Sequence, residues 1–278
     1  MSTITRGLAA IGAAALVVGL AACTPAADSG STPASDYVTE GKLTIGTGEP
    51  AYYPWVLDDA PESGEGFEAA VAYAVAEELG FAAEDVVWVR TTFDEAIAPG
   101  PKDFDFNLQQ FSITEERKAN VDFSSPYYET TQAIITVDGS AAAGATSIDD
   151  LKGLLIGAAT GTTSFATIES VIAPTAGAQA FSTNDDAKLA LESGQVDAIV
   201  VDLPTAFYLT GVELTGGLII GQFPLEDGTG DQFGLVLPKD SPLTGAVTDA
   251  VDALRDNGTL ADIEAEWLSN AVAVPVLQ

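Results

Sequence analysis

Histidine is absent from all 278 residues. That removes the commonest general base near neutral pH, the commonest metal ligand, and any Ser-His or Cys-His nucleophile pair. Cysteine occurs once, at Cys23, so no disulfide within the chain and no thiolate metal cluster can form. Basic residues are scarce: Lys and Arg number 10 against 41 Asp and Glu, a formal net charge of −31. Phosphate binding needs clustered Lys and Arg, so no nucleic-acid partner is expected. The acidity favours solubility and repels anionic lipid heads. The apolar run at residues 7–20 is too short for a membrane span. Hydrolase and metalloenzyme chemistry lose most of their means. Chemistry by carboxylates alone stays open, and no cofactor or metal is expected.

What the chain does have begins with an export pattern. Arg6 precedes the apolar run, and Leu20-Ala21-Ala22-Cys23 closes it. This ending resembles the lipobox of bacterial lipoproteins, which implies a signal peptide over 1–22 and a lipid carried by Cys23. Residues 24–35 are small, polar and rich in Pro and Ser, the composition of a flexible tether. The first 35 residues are therefore set apart from the fold.

The stretch around which the remainder is organised runs from Phe104 to Tyr128. Phe104, Phe106, Leu108 and Phe111 read as an apolar frame, and Ser112 and Thr114 as hydroxyls at its exit. Thr114 is a natural N-cap for Glu115-Glu116-Arg117-Lys118. Arg117 then sits in a first helical turn, where anions are favoured, so a cation there needs a reason. One reason is a cleft in which its planar fork holds a carboxylate. The other is a surface pairing with Glu115 or Glu116.

Before this stretch, the alternation at 42–47 predicts a strand running into Gly48-Glu49-Pro50-Ala51-Tyr52-Tyr53-Pro54-Trp55. Such an ending suits the mouth of an α/β cleft. Residues 66–80 predict a helix too continuously apolar for an exposed position, stopped at Gly80. A strand at 86–90 and a short helix from Thr92 follow, the alternation expected of a parallel sheet. Beyond it, Ser147 to Asp150 form a capping box, and a buried strand leads to Gly161-Thr162-Thr163-Ser164 at a helix start. Free N–H groups and hydroxyls there make an anion site, or simple capping by Thr162 or Thr163. The missing Gly-Lys excludes a P-loop. A strand at 196–202 ends on Asp202, which either points into a cleft or caps the helix that follows. Asp197 reads as structural.

Together these segments resemble the polar amino-acid-binding proteins of bacterial ABC importers, the family 3 extracellular solute-binding proteins in lipoprotein form. The resemblance lies on Phe111-Ser112-Ile113-Thr114, Arg117, Val121-Asp122-Phe123-Ser124 and Pro126-Tyr127, on Gly66-Phe67-Glu68, on the Gly161-Thr162-Thr163 turn, on the segment ending at Asp202, and on residues 232–238. It implies an α/β, two-lobe periplasmic-binding-protein-like fold of type II, with two crossing segments near 132–138 and 232–238 and a ligand cleft between the lobes. Lobe 1 is expected over 36–133 and 234–278, and lobe 2 over 134–233.

The resemblance also implies roles. Arg117 and Ser112 would take a ligand carboxylate, helped by Thr163 and Thr162. Asp202 would take the α-ammonium, and Tyr52 or Tyr53 would cover the side chain. The bulky Gln109 and Gln110 stand where the family often carries a small residue, so Gln110 joins the binding set. Trp55 is expected to pack in the core. The implied function is capture of an amino acid, neutral polar or basic rather than acidic; Glu49 either biases the choice towards basic or is simply solvated. The implied partners are an ABC permease with its ATPase, and the outer face of the membrane through Cys23. The binding protein itself is expected to be a monomer. An exported dehydratase-like enzyme on the same scaffold is the alternative. A sensory module ranks last, because no signalling domain follows residue 278.

Overall fold

The structure, a computed structural model, describes residues 36–225, 228–268 and 273–278. The expected signal peptide, Cys23 and tether lie outside the described residues. In chain order the elements are β1 (Leu43–Gly48), α1 (Phe67–Glu78), β2 (Val86–Thr91), α2 (Phe93–Ile97), β3 (Phe106–Asn107), α3 (Glu115–Lys118) and β4 (Val121–Thr130). Then come β5 (Gln132–Val137), α4 (Ile148–Leu151), β6 (Ile156–Ala159), α5 (Thr163–Thr167), β7 (Gln179–Phe181), α6 (Asn184–Glu192), β8 (Ala198–Asp202), α7 (Leu203–Tyr208) and β9 (Gly217–Gln222). The chain closes with β10 (Asp231–Pro238), α8 (Thr244–Asp256) and α9 (Thr259–Trp267).

These strands form two five-stranded sheets, ordered β2-β1-β3-β10-β4 and β7-β6-β8-β5-β9. In the first, β1 runs parallel to β2 and β3, and β10 is antiparallel to its neighbours. The second repeats the plan, with β6 parallel to β7 and β8, and β5 antiparallel. Every residue of β1 is buried, as a central parallel strand covered on both faces requires. On one face of the first sheet, Leu43, Ile45 and Leu235 pack with Phe67, Val71 and Val75 of α1 and with Val247 and Val251 of α8. On the other, Phe104, Phe111, Val121 and Val236 meet Ala96 of α2. Two further clusters cover the faces of the second sheet. The result is the two-lobe α/β fold that the family resemblance implied.

The local signals act as expected. Thr114 caps α3 by accepting the Arg117 N–H. Ser147 and Asp150 form a reciprocal capping box, and Thr92 and Glu95 form another. Gly66 starts α1 at a φ of 105°, and a Cβ there would lie 2.6 Å from the Trp55 carbonyl oxygen. Only glycine can make that entrance, which delivers Glu68 into the space between the sheets.

The crossings fall slightly outside the expected bounds. The chain changes sheet at Thr131 alone, so all of β5 belongs to the second sheet, and it returns between Gln222 and Asp231. The last residues differ more. Sequence assigned all of 234–278 to the first lobe, but Val276 bridges Gln222 of β9 and the Leu277 N–H donates to the Gln222 carbonyl at 2.9 Å. Gln222 in turn donates its N–H to Pro275 O, and Ile148 N–H donates to Gln278 O. Leu277 is buried with Ile134, Ile172 and Phe223 in the second lobe. The end of the chain thus straps α9 of one lobe to the sheet of the other. Leu277→Ala should lower unfolding free energy by about 2–4 kcal/mol, the usual cost of emptying a buried leucine site. Urea unfolding of wild type and variant measures it; a loss below 0.5 kcal/mol would mean that the strap does not hold.

Candidate functional site

The parallel strands of both sheets end at one place. A cavity of about 330 Å³ is lined from the first lobe by residues after β1, β2 and β3, and from the second by residues after β6, β7 and β8. Carboxyl ends of parallel strands leave loops and helix starts free to face a ligand, which is the general position of α/β binding sites. The volume lies within the range of small-molecule sites. The lobes touch around the cavity. Arg117 donates across to the Gly161 carbonyl, and the Trp55 indole N–H donates to Thr205 at 3.0 Å.

Arg117 is 7% exposed. Its guanidinium donates to Ser112 O at 2.7 Å and to Gly161 O at 2.9 Å, and its carbon lies 5.1 Å from the centre of the Phe93 ring. The surface pairing is not made: Glu115 pairs with Lys118 instead. Burial lowers the Arg117 pKa, opposed by Asp231, Asp202, Glu116 and Asp94, and the group stays charged. It is the one cation on the cavity wall among the described residues, against Glu49, Glu68, Asp94 and Asp202.

Asp202 occupies the N-cap position of α7 but makes no side-chain capping bond. Its carboxylate turns to the cavity and accepts the Gln132 amide N–H at 2.6 Å. Burial, and then the nearby Asp231, push its pKa up to about 7. Ser112 is not on the cavity wall; its hydroxyl lies behind it, 3.2 Å from Thr163 Oγ1, and donates to Asp231 at 3.3 Å. Thr163 faces the cavity from the start of α5. Thr162 also lines it, but its hydroxyl is committed, donating to Ala159 O and accepting from Phe165 N–H.

The two tyrosines part company. Tyr52 lies on the cavity wall, where burial and Asp185 push its hydroxyl pKa up to about 12. Tyr53 is not on the wall; its ring packs on Tyr208 at 4.8 Å. Of the two amides, Gln110 takes a left-handed backbone at φ 54° and is held there by Glu68, which accepts its backbone N–H at 2.7 Å and its side-chain amide. Gln109 donates to Thr91 and Asn107. Trp55 packs against Phe67, Tyr128 and Phe233 and shows one edge to the cavity. Asp197 accepts the Leu155 N–H, a structural contact.

The sequence does not single out Glu68 or Asp94 on the cavity wall, nor Gln132 and Asp231 behind Asp202. Glu68 is 1% exposed and also accepts from the Tyr127 hydroxyl; burial raises its pKa to about 7. A lone acid on an otherwise apolar helix face was the available signal. Gln132 and Asp231 have no such signal, because strand pairing alone brings them together.

Comparison with known proteins places this geometry. The family model of bacterial extracellular solute-binding proteins, family 3, matches residues 43–270. The L-arginine-binding protein of Pseudomonas aeruginosa is 30% identical over 228 residues, which is 80% of this chain and 86% of that protein. An ancestral arginine-binding protein solved with glutamine is 32% identical, with a TM-score of 0.70 over 84% of this chain and all of that one. The ancestral amino acid-binding protein AncCDT-1, a precursor of cyclohexadienyl dehydratase, is 27% identical, with a TM-score of 0.67 over 82% and 96%. On the matched residues and the shared two-lobe fold, this chain belongs to the bacterial extracellular solute-binding proteins, family 3.

Proposed function

We propose that the chain captures an amino acid, neutral polar or basic, in this cavity and hands it to an ABC permease and its ATPase. One observation carries the reading: Arg117 and Asp202 reach one cavity from opposite lobes, with hydroxyls of Thr163 and Ser112 beside the arginine. A zwitterion is costly to bury unless each charge is paired. Arg117, Ser112 and Thr163 would take the carboxylate, and Asp202 the ammonium. Tyr52 would cover the side chain and Gln110 would shape its space, with Thr162 fixing the helix start. The side chain would then meet Glu49, Asp94 and the Gln109 amide, an acid-rich wall that disfavours Asp and Glu ligands. The relatives' names, arginine and glutamine, fit that range. Because the paired groups come from both lobes, ligand and lobe closure would be coupled through a hinge at the crossings. Cys23 would carry a lipid that holds the monomeric protein at the outer face of the membrane. Lobe 1 would comprise 36–130 and 231–268, and lobe 2 132–222 with the terminal strap.

Thermal unfolding of the protein against each of the twenty amino acids tests this. A ligand at 100 times its dissociation constant stabilises the native state by about 2.7 kcal/mol. We expect clear shifts with neutral polar or basic amino acids and none with Asp or Glu. No shift with any amino acid would overturn the reading. A dehydratase activity is the second reading, favoured by two buried carboxyls, Glu68 and Asp202, held near pH 7, and by the likeness to AncCDT-1. Turnover of a cyclic acid substrate would establish it.

A further inference from the structure

We propose that Gln132 is the positioning residue for the Asp202 carboxylate, holding it against the ligand and tying it to both strands on which the chain crosses between the lobes. This rests on the amino-acid reading of the cavity. The geometry comes from strand register. Gln132 opens β5 directly opposite Asp202 at the end of β8, so the two side chains share a face. Asp231 opens β10 opposite Thr130, two residues before Gln132 on the same crossing. One amide therefore meets a residue from each element: Asp202 Oδ1 at 2.6 Å, Asp231 Oδ2 at 2.8 Å, and Ser164 Oγ at 2.6 Å.

The orientation of that amide is determined by chemistry. Carboxylate oxygens accept, so the nitrogen, with its two hydrogens, faces Asp202 and Asp231, and the oxygen takes the Ser164 hydroxyl. Both hydrogens are then used by carboxylates, and the Thr163 hydroxyl at 3.3 Å is left to Ser112. Gln132 is itself buried. An amide in this place does what neither a cation nor an apolar group would. It separates two like charges without neutralising Asp202, which must keep its charge for an ammonium.

The groups facing Asp202 from the surrounding elements are Asp231 on β10, Glu68 on α1, Arg117 on α3, and Tyr127 and Tyr128 on β4. The acids raise its proton affinity; Gln132 and Arg117 oppose them. Without the amide hydrogens, Asp202 and Asp231 would face each other uncompensated, and Asp202 would hold its proton to higher pH. Ligand affinity in the variant should therefore be lost near neutral pH and recovered above it.

The experiment is titration calorimetry of wild type, Gln132→Leu and Asp231→Asn between pH 5.5 and 8.5, with the amino acid that gives the largest thermal shift. For wild type we expect affinity to fall as pH drops below about 7. For Gln132→Leu we expect a loss of at least tenfold at pH 7 that narrows to about threefold at pH 8.5. For Asp231→Asn, a near-isosteric change that removes the facing charge, the profile should move to lower pH by about one unit. A Gln132→Leu loss equal at every pH would reduce Gln132 to a packing role and overturn the proposal. So would a wild-type profile in both variants. If Gln132→Leu does not fold, Asp231→Asn alone decides. If wild type binds no amino acid, it is the functional reading that fails.

Discussion

Arg117→Ala should lower amino-acid affinity by roughly 30- to 5,000-fold, the 2–5 kcal/mol that follows truncation of one partner of a buried charge pair. The residue is nearly sealed from solvent and is the only cation on the cavity wall among the described residues, so nothing nearby replaces it. Arg117→Lys should recover little. The guanidinium donates to Ser112 O and Gly161 O in two directions while lying on the Phe93 ring, and an ammonium cannot reproduce that planar fork. Because Gly161 belongs to the other lobe, the loss should also loosen lobe contact. Calorimetric titration checks the affinity, with a thermal melt of each variant to establish that it is folded. Arg117→Lys binding within threefold of wild type would remove the fork from the account.

Glu68→Gln should make the ligand-free protein more stable at pH 8, by roughly 3 kcal/mol, and change it little at pH 5. The Glu68 carboxyl titrates near 7 in the fold against 4.5 when solvated, because burial outweighs the three bonds it accepts. A folded pKa above the unfolded one means that the native state holds the proton more tightly. The contribution is therefore fully present below pH 4.5 and is lost as pH rises through about 7. Asp202 is shifted in the same direction, so wild type should become steadily less stable from pH 5 to 8. The exposed carboxyls of Glu95, Asp150 and Asp252 are shifted downward, and their contributions change only below that window. The general repulsion of a chain at −31 acts in the same sense as Glu68, which is why the variant matters. Glutamine keeps the acceptor for Gln110 N–H and the Tyr127 hydroxyl and removes the charge, giving up the bond from the Gln110 side-chain amide. Chemical denaturation of both proteins at pH 5 and pH 8 measures the difference. Equal slopes in the two proteins would show that Glu68 titrates in the ordinary carboxylate range.

Much of this site is legible in the sequence because its signals are local. Thr114 three residues before Arg117 announces a capped turn, and a buried strand ending on an acid announces Asp202 at a carboxyl terminus. The choice between cavity and cap for Asp202 was not legible, since a side-chain direction depends on what stands opposite. That neighbour, Gln132, lies 70 positions away. In the sequence Gln132 stands only at the start of the crossing expected near 132–138, and Asp231 only just before the one near 232–238. Their meeting is a consequence of register across two sheets. The crossing itself was misplaced by a few residues because residues 130–137 carry one unbroken β pattern; the chain changes sheet at Thr131 with no turn residue to mark it. The terminal strap was missed for a related reason. Leu277 is an ordinary apolar residue whose pocket lies in the far lobe, and only the pairing with Gln222 takes it there.

A cavity with Arg117 on one lobe and Asp202 on the other should grip both charged ends of one amino acid. Titration calorimetry answers it with three probes: the amino acid that binds most tightly, its α-decarboxylated amine, and its Nα-acetyl derivative. Removing a carboxylate leaves Arg117 unmatched, and acetylation removes the ammonium from Asp202. Both derivatives should bind at least 30-fold more weakly than the parent, the lower bound for an unpaired buried charge. If either derivative binds as tightly as the parent, or if no amino acid binds at all, the zwitterion site is contradicted.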